Sequence, residues 1–177
     1  GEPELIKDGF HATYDWELYH RMYDHSQGKI SLDSLWNVIT TWHDRNPNGA
    51  LPLRFVENHD EPRSAEKFGW PEVKPYAALI FTLPGIPLIY AGQEVGVTHK
   101  TTLFEKETVD WESEGSEEAK EFYKELIKLR KYKVFNEPNV TRGVRFFGES
   151  SDVLIFGRVV EFGYFWVGIN FSNKKVI

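Results

Sequence analysis

Cysteine is absent from the 177-residue chain, and methionine occurs once. Without thiols there are no disulfide staples, no thiolate metal sites and no cysteine nucleophile. A basic excess is missing as well, since 27 acidic residues face 21 basic ones for a formal charge of −6. No positive field is available to collect a phosphate backbone, which argues against nucleic acid as a partner. The longest apolar run, Tyr76 to Tyr90, is broken by Pro84-Gly85 and Pro87. A bilayer-spanning helix takes about 20 consecutive apolar residues, so no membrane span is expected. Gly1-Glu2-Pro3-Glu4 has neither the basic nor the apolar part of a secretion signal. What is present is a chain 41% apolar and 15% aromatic, enough for a substantial core.

Periodicity and punctuation divide this chain, with no internal repeat and no low-complexity tract. Leu32, Leu35, Trp36, Ile39 and Trp42 recur at helical spacing behind Ser31, a good N-cap, and stop at Asn46-Pro47-Asn48-Gly49. The segment 53–57 is short and β-prone and runs into the polar loop Asn58-His59-Asp60-Glu61-Pro62. Pro75 opens a helix over 76–83, closed by Pro84-Gly85, and 86–90 reads as a buried strand before Gly92-Gln93-Glu94. Apolar runs this continuous suit parallel strands covered on both faces, so the unit is βαβ-like. Ala119, Phe122, Tyr123, Leu126 and Ile127 mark a long amphipathic helix from Ser116 that ends in basic residues. After Pro138 the segments 144–147, 153–160 and 164–171 are β-branched and aromatic, which predicts an antiparallel meander.

Three features carry possible chemistry. Glu57, His59 and Asp60 stand at the C-terminal mouth of a parallel strand, where the loops of α/β barrels converge on an active site. The same residues also read as a plain turn. A His-Asp metal pair would need partner ligands on neighbouring helices, and here a strand precedes it, so no metal is assigned. His20, Asp24 and His25 lie at helical spacing, with a solvated or capping role as the alternative to ligation, while His11, His43 and His99 have no companions and read as structural. Tyr14, Trp16, Tyr19, Tyr23, Trp70 and Trp111 lie in or beside loops, where aromatic faces either stack on sugar rings or fill the core.

Together, Phe55-Val56-Glu57-Asn58-His59-Asp60 and Gly85-Ile86-Pro87-Leu88-Ile89-Tyr90-Ala91-Gly92-Gln93-Glu94, preceded by Gly9-Phe10-His11-Ala12-Thr13-Tyr14-Asp15, strongly resemble the α-amylase family of glycoside hydrolases. The resemblance covers nearly the whole chain. It implies an α/β fold in which these segments are strands six to eight of a (β/α)8 TIM barrel. On that basis 1–137 is the C-terminal part of the catalytic barrel, and 138–177 the start of an antiparallel β-sandwich. By the same resemblance Asp60 matches the carboxylate that stabilises the transition state, and His59 matches an imidazole that binds the same sugar. Gln93 and Glu94 match a loop that is structural or at the rim of the site. The family more often has Asp where this chain has Glu57, a departure that leaves the strand end intact.

Retaining glycosidases need two carboxyls about 5 to 5.5 Å apart, a nucleophile and an acid/base. The family's nucleophile stretch, Gly-Phe-Arg-x-Asp, does not occur here. Glu2 offers itself as the remnant of the acid/base strand, whereas aligning Pro3 and Gly9-Phe10 with the family places that glutamate upstream of Gly1. A whole barrel takes about 250 residues, so the expectation is a fragment truncated at both ends. Its partners would be the N-terminal half of the same barrel and an α-glucan or maltooligosaccharide substrate, with no cofactor. The expected activity of the whole protein is hydrolysis of α-glucosidic bonds with retention. The alternatives are a 4-α-glucanotransferase or other transglycosylase, a catalytically inactive amylase-like subunit, and a carbohydrate-binding β-module, which the α/β bulk contradicts.

Overall fold

The computed structural model describes residues 2–46, 50–113, 115–136, 145–147, 152–160, 163–172 and 174–175. Helix α1 (Glu2–Lys7) leads through strand β1 (Ala12–Tyr14) to helices α2 (Trp16–Ser26), α3 (Leu32–Thr40) and α4 (Trp42–Arg45). Strand β2 (Leu51–Arg54) precedes α5 (Ser64–Lys67), α6 (Lys74–Thr82) and strand β3 (Ile86–Pro87). A 3-10 turn at Gln93–Val95, α7 (Ser116–Leu129) and α8 (Lys133–Asn136) follow. The chain ends in strands β4 (Arg145–Phe147), β5 (Val153–Val160) and β6 (Gly163–Asn170).

The first sheet is parallel and in chain order, β1-β2-β3, with Ala12 opposite Leu51 and Leu53 opposite Ile86. Parallel neighbours require crossover connections, which α2 to α4 and α5 to α6 supply. All three strands therefore end on the same side. The βαβ reading is correct, but the strand limits move. The strand expected over 53–57 is Leu51–Arg54, because β1 gives out at Asp15, whose carboxylate turns back to cap α2, and pairing ends with the Leu88 amide on the Arg54 carbonyl at 2.8 Å. The strand expected over 86–90 pairs only at Ile86–Pro87. Proline has no amide to donate, and Ile86 is 40% exposed, so burial on both faces does not hold at this edge.

Ser31 caps α3 as expected, its Oγ accepting the Ser34 amide at 3.2 Å. The helix expected to run to Trp42 is instead two, broken at Thr41. The Thr40 and Thr41 hydroxyls both donate to the Asn37 carbonyl, at 3.1 and 2.8 Å, and such back-bonding competes with the helical ladder. The helix over 76–83 is α6, and the long amphipathic helix is α7. α1 and the short α5 and α8 carried no sequence expectation.

The second sheet is the expected antiparallel meander, β4-β5-β6, with Leu154 opposite Ile169 and Gly157 opposite Trp166. The boundary expected at 137/138 falls outside the described residues. Leu154, Phe156 and Ile169 belong to the same buried cluster as Leu35, Phe55, Tyr76 and Phe81. Arg158 Nη1 donates to the Thr82 carbonyl at 2.7 Å, beside Arg130 on the Gly85 carbonyl at 2.8 Å and Arg54 on Pro84 at 2.7 Å. Three guanidiniums thus collect the carbonyls at the C-terminal end of α6, where the helix dipole favours cations. Burial, and then the neighbouring Arg130 and Arg54, lower the Arg158 pKa to about 10.

Candidate active site at the ends of the parallel strands

The chain leaves β2 through four buried residues and then surfaces. Phe55, Val56, Glu57 and Asn58 are all within 1% of full burial, whereas the side chains of His59 and Asp60 are 48% and 53% exposed. The turn is built by Asn58, whose Oδ1 accepts the amides of Asp60 at 2.9 Å and Glu61 at 3.1 Å. This Asx geometry is the one Asn adopts readily, because its short side chain reaches its own backbone two residues on. Asn58 Nδ2 is buried without a hydrogen-bond partner among the described residues. His59 Nε2 lies 3.4 Å from Asp60 Oδ2. The two residues singled out from sequence are therefore brought together on the open side of the turn.

Beneath them sits an ion pair that sequence reasoning missed. Glu57 Oε1 accepts Arg63 Nη1 at 2.8 Å, and Glu57 Oε2 accepts the Ser64 amide at 2.7 Å and the Ser64 hydroxyl at 2.6 Å. Burial pushes the Glu57 carboxyl upward, while the Ser64 donors and Arg63 pull the other way. The signal was present in the sequence: an acid within a buried strand end needs a base, and Arg63 is the first one downstream. Next to it, Glu61 Oε2 accepts the Tyr19 hydroxyl at 2.7 Å and Lys67 Nζ at 2.9 Å. Partial burial raises the Glu61 carboxyl, but Lys67 and Tyr19 outweigh it and hold the group below its ordinary value. Burial and the Glu61 hydrogen bond raise the Tyr19 phenol.

The other candidates are dispersed. His20 stacks on Trp16 at 5.9 Å, Asp24 pairs with Arg21 and Lys29 at 3.7 Å, and His25 Nδ1 meets the Tyr76 hydroxyl at 2.8 Å. They do not converge, and among the described residues no three His, Asp or Glu side chains form a metal cluster. His99 lies 3.4 Å from Glu107. Tyr14, Trp16 and Tyr19 surround Phe55 at 4.8 to 5.4 Å, which makes them the wall behind the turn. Tyr23 packs on Phe68 and Trp70 on Phe122, while Trp111 remains 45% exposed.

Glu2 does not close a strand, as a remnant of the acid/base strand would; it opens α1. It lines a cavity of about 130 Å³ with Tyr14, Asp15 and Trp16. A second cavity, of about 340 Å³, lies under the loop after β3 and is lined by Arg63, Val97, His99 and Thr101 among others. In the loop after β3, Gln93 Nε2 donates to the Tyr123 hydroxyl at 2.9 Å, and Glu94 Oε2 accepts the Gly92 amide at 2.9 Å.

Residues 8–125 match the family model for the α-amylase catalytic domain. The chain is similar to the amino acid transporter heavy chain SLC3A1 of Homo sapiens, 33% identical over 86 residues, which are 49% of this chain and 12% of that protein. It is similar to the probable oligo-1,6-glucosidase 3 of Bacillus subtilis (strain 168), 34% identical over 76 residues, 40% of this chain and 14% of that protein. Its fold is similar to the maltogenic alpha-amylase AmyB from Thermotoga neapolitana, with a TM-score of 0.80 at 26% identity, covering 96% of this chain and 40% of that one. The chain thus spans less than half the length of each of these relatives. The match over two thirds of its residues, on a parallel sheet that ends in this turn, places the chain in the α-amylase family of glycoside hydrolases.

Proposed function

We propose that residues 1–137 are the C-terminal part of a (β/α)8 catalytic barrel, with β1, β2 and β3 as its sixth, seventh and eighth strands. Residues 138–177 then begin a C-terminal β-sandwich, and the N-terminal half of the barrel completes the site. The whole enzyme hydrolyses α-glucosidic bonds of α-glucans or maltooligosaccharides through a covalent glycosyl intermediate, with retention. One observation carries this reading: four buried residues deliver His59 and Asp60, and only these two, to solvent in a preset turn at the end of β2. Preset charge facing the place where an oxocarbenium-like ion develops is the largest catalytic effect a side chain offers. Asp60 grips the ring hydroxyls of the sugar at the cleavage point, and His59 donates to the same sugar. Neither is the nucleophile or the proton donor, which the other half of the barrel supplies. Transfer to a sugar instead of water would use the same residues.

The likeness to SLC3A1, named an amino acid transporter heavy chain, favours a second reading, a non-catalytic subunit. The experiment that separates the two is turnover of maltooligosaccharides by the complete protein and by its Asp60→Asn variant. For the enzyme, Asp60→Asn lowers kcat by about 10²-fold or more with a smaller change in substrate affinity, and His59→Ala costs about 3 kcal/mol. Wild-type rates in Asp60→Asn return Asp60 to a turn residue, and no turnover by the wild type supports the subunit.

A further inference from the structure

We propose that Arg63 and Lys100 are positioning residues for Asp60, clasping the loop after β3 onto the turn after β2; this rests on the reading of Asp60 just given. Arg63 is 1% exposed and bonds to three segments at once. Its Nη1 donates to Glu57 Oε1 at 2.8 Å and to the Ala91 carbonyl at 2.9 Å, and its Nε donates to the His99 carbonyl at 3.2 Å. The guanidinium lies 4.4 Å from the centroid of the Tyr90 ring. A buried base needed only to neutralise Glu57 would need none of the carbonyl contacts. They fix both ends of the loop from Ala91 to His99 against the β2 turn.

The residue after His99 uses that placement. Lys100 Nζ donates to the backbone carbonyl of Asp60. The Asp60 backbone is then held on both sides, by its amide on Asn58 Oδ1 at 2.9 Å and by its carbonyl on Lys100. Among the described residues the carboxylate itself has only His59 beside it, at 3.4 Å, and stays available. Rotation of either peptide flanking Asp60 would swing the carboxylate away from its aim, and misplacement by about 1 Å is enough to cost orders of magnitude in rate. Lysine cannot replace Arg63, because an ammonium on a flexible stem does not reproduce a planar fork that serves a carboxylate and two carbonyls. Lys100, in contrast, is an exposed point donor that arginine can mimic.

The test uses the complete enzyme, with wild type and Asp60→Asn measured beside Arg63→Lys, Lys100→Met and Lys100→Arg. Expected is a fall in kcat of about 10-fold or more for Arg63→Lys and several-fold for Lys100→Met, with KM moved by less than about twofold. Lys100→Arg restores most of the lost rate, and the melting temperature of Lys100→Met stays at the wild-type value. Should Arg63→Lys fail to fold, the Lys100 pair decides. Wild-type kcat in Lys100→Met and in folded Arg63→Lys, with Asp60→Asn impaired, overturns the clasp. Wild-type kcat in Asp60→Asn fails differently, by removing the reading on which the clasp rests.

Discussion

Asp15 holds Arg54 across the ends of β1 and β2, Oδ2 to Nε at 3.2 Å, while its other oxygen accepts the Leu18 amide at 3.2 Å. The two side chains are 3% and 2% exposed. One carboxylate therefore caps α2 and neutralises a buried guanidinium whose pKa burial lowers and Asp15 supports. Removing one partner of such a pair leaves the other charged and dry. Asp15→Ala is expected to cost about 3–5 kcal/mol in urea unfolding. Asp15→Asn, which keeps an acceptor for Leu18, should cost less than Asp15→Ala; an equal loss would assign the whole effect to the charge.

Gly85 sets the approach of β3 to β2. Its φ is +105°, and a Cβ there would lie 2.6 Å from the Pro52 carbonyl oxygen. Gly85→Ala combines strain with a backbone clash and should cost more than about 2 kcal/mol. Gly28, with φ at +68° and open space around it, is the control, expected to lose about 1 kcal/mol. The comparison is read from thermal melts of both variants. Equal shifts would show that β3 can retreat from Pro52.

His25 joins α2 to α6 and to the second sheet, meeting the Tyr76 hydroxyl at 2.8 Å and the Phe171 ring at 5.3 Å. Burial lowers its pKa below 6.5, against the opposing pull of Asp152. The unfolded chain thus takes up this proton at higher pH than the folded one. The stability this neutral imidazole maintains is fully present above pH 6.5 and is lost as pH falls through the lower folded value. His25→Phe should flatten the melting temperature between pH 7 and 5 relative to wild type; parallel curves would show that His25 charges freely.

Among the described residues, β1 and β3 each pair on one side only. Open edges of a parallel sheet recruit other strands. The 177-residue chain by itself should self-associate in sedimentation, show no turnover of maltooligosaccharides, and become monodisperse when the N-terminal half of the barrel is supplied. A stable monomer of 20.6 kDa would contradict the proposed barrel.

Helix positions were legible where an apolar stripe ran at helical spacing, behind the Ser31 cap for α3 and from Ser116 for α7, since such signals are local. Strand ends were not. Residues 55–58 are as buried as a strand, yet pairing stops at Arg54, because a partner is a property of the neighbouring segment and β1 ends at Tyr14. The helix break at Thr41 lay in two hydroxyls competing for one carbonyl, which periodicity does not register. At the site, His59 and Asp60 stood out as adjacent chemistry at a strand mouth. Lys100 did not, nor did the carbonyl contacts of Arg63, since those partners lie 28 to 40 residues away in sequence.

The order of the main helices and strands, the parallel-then-antiparallel change of character and the motifs that mark the α-amylase family were all legible in the chain's primary sequence. Those features rest on spacing, residue type and proline or glycine punctuation, all readable within about a dozen residues. Which polar side chains are buried, and with whom, emerges only once the segments pack together. Packing buries Glu57 against Arg63 and Asp15 against Arg54, and it leaves His59 and Asp60 in solvent one residue beyond a fully buried Asn58. Burial of a charge depends on every segment that closes over it, so no local stretch of sequence contains it.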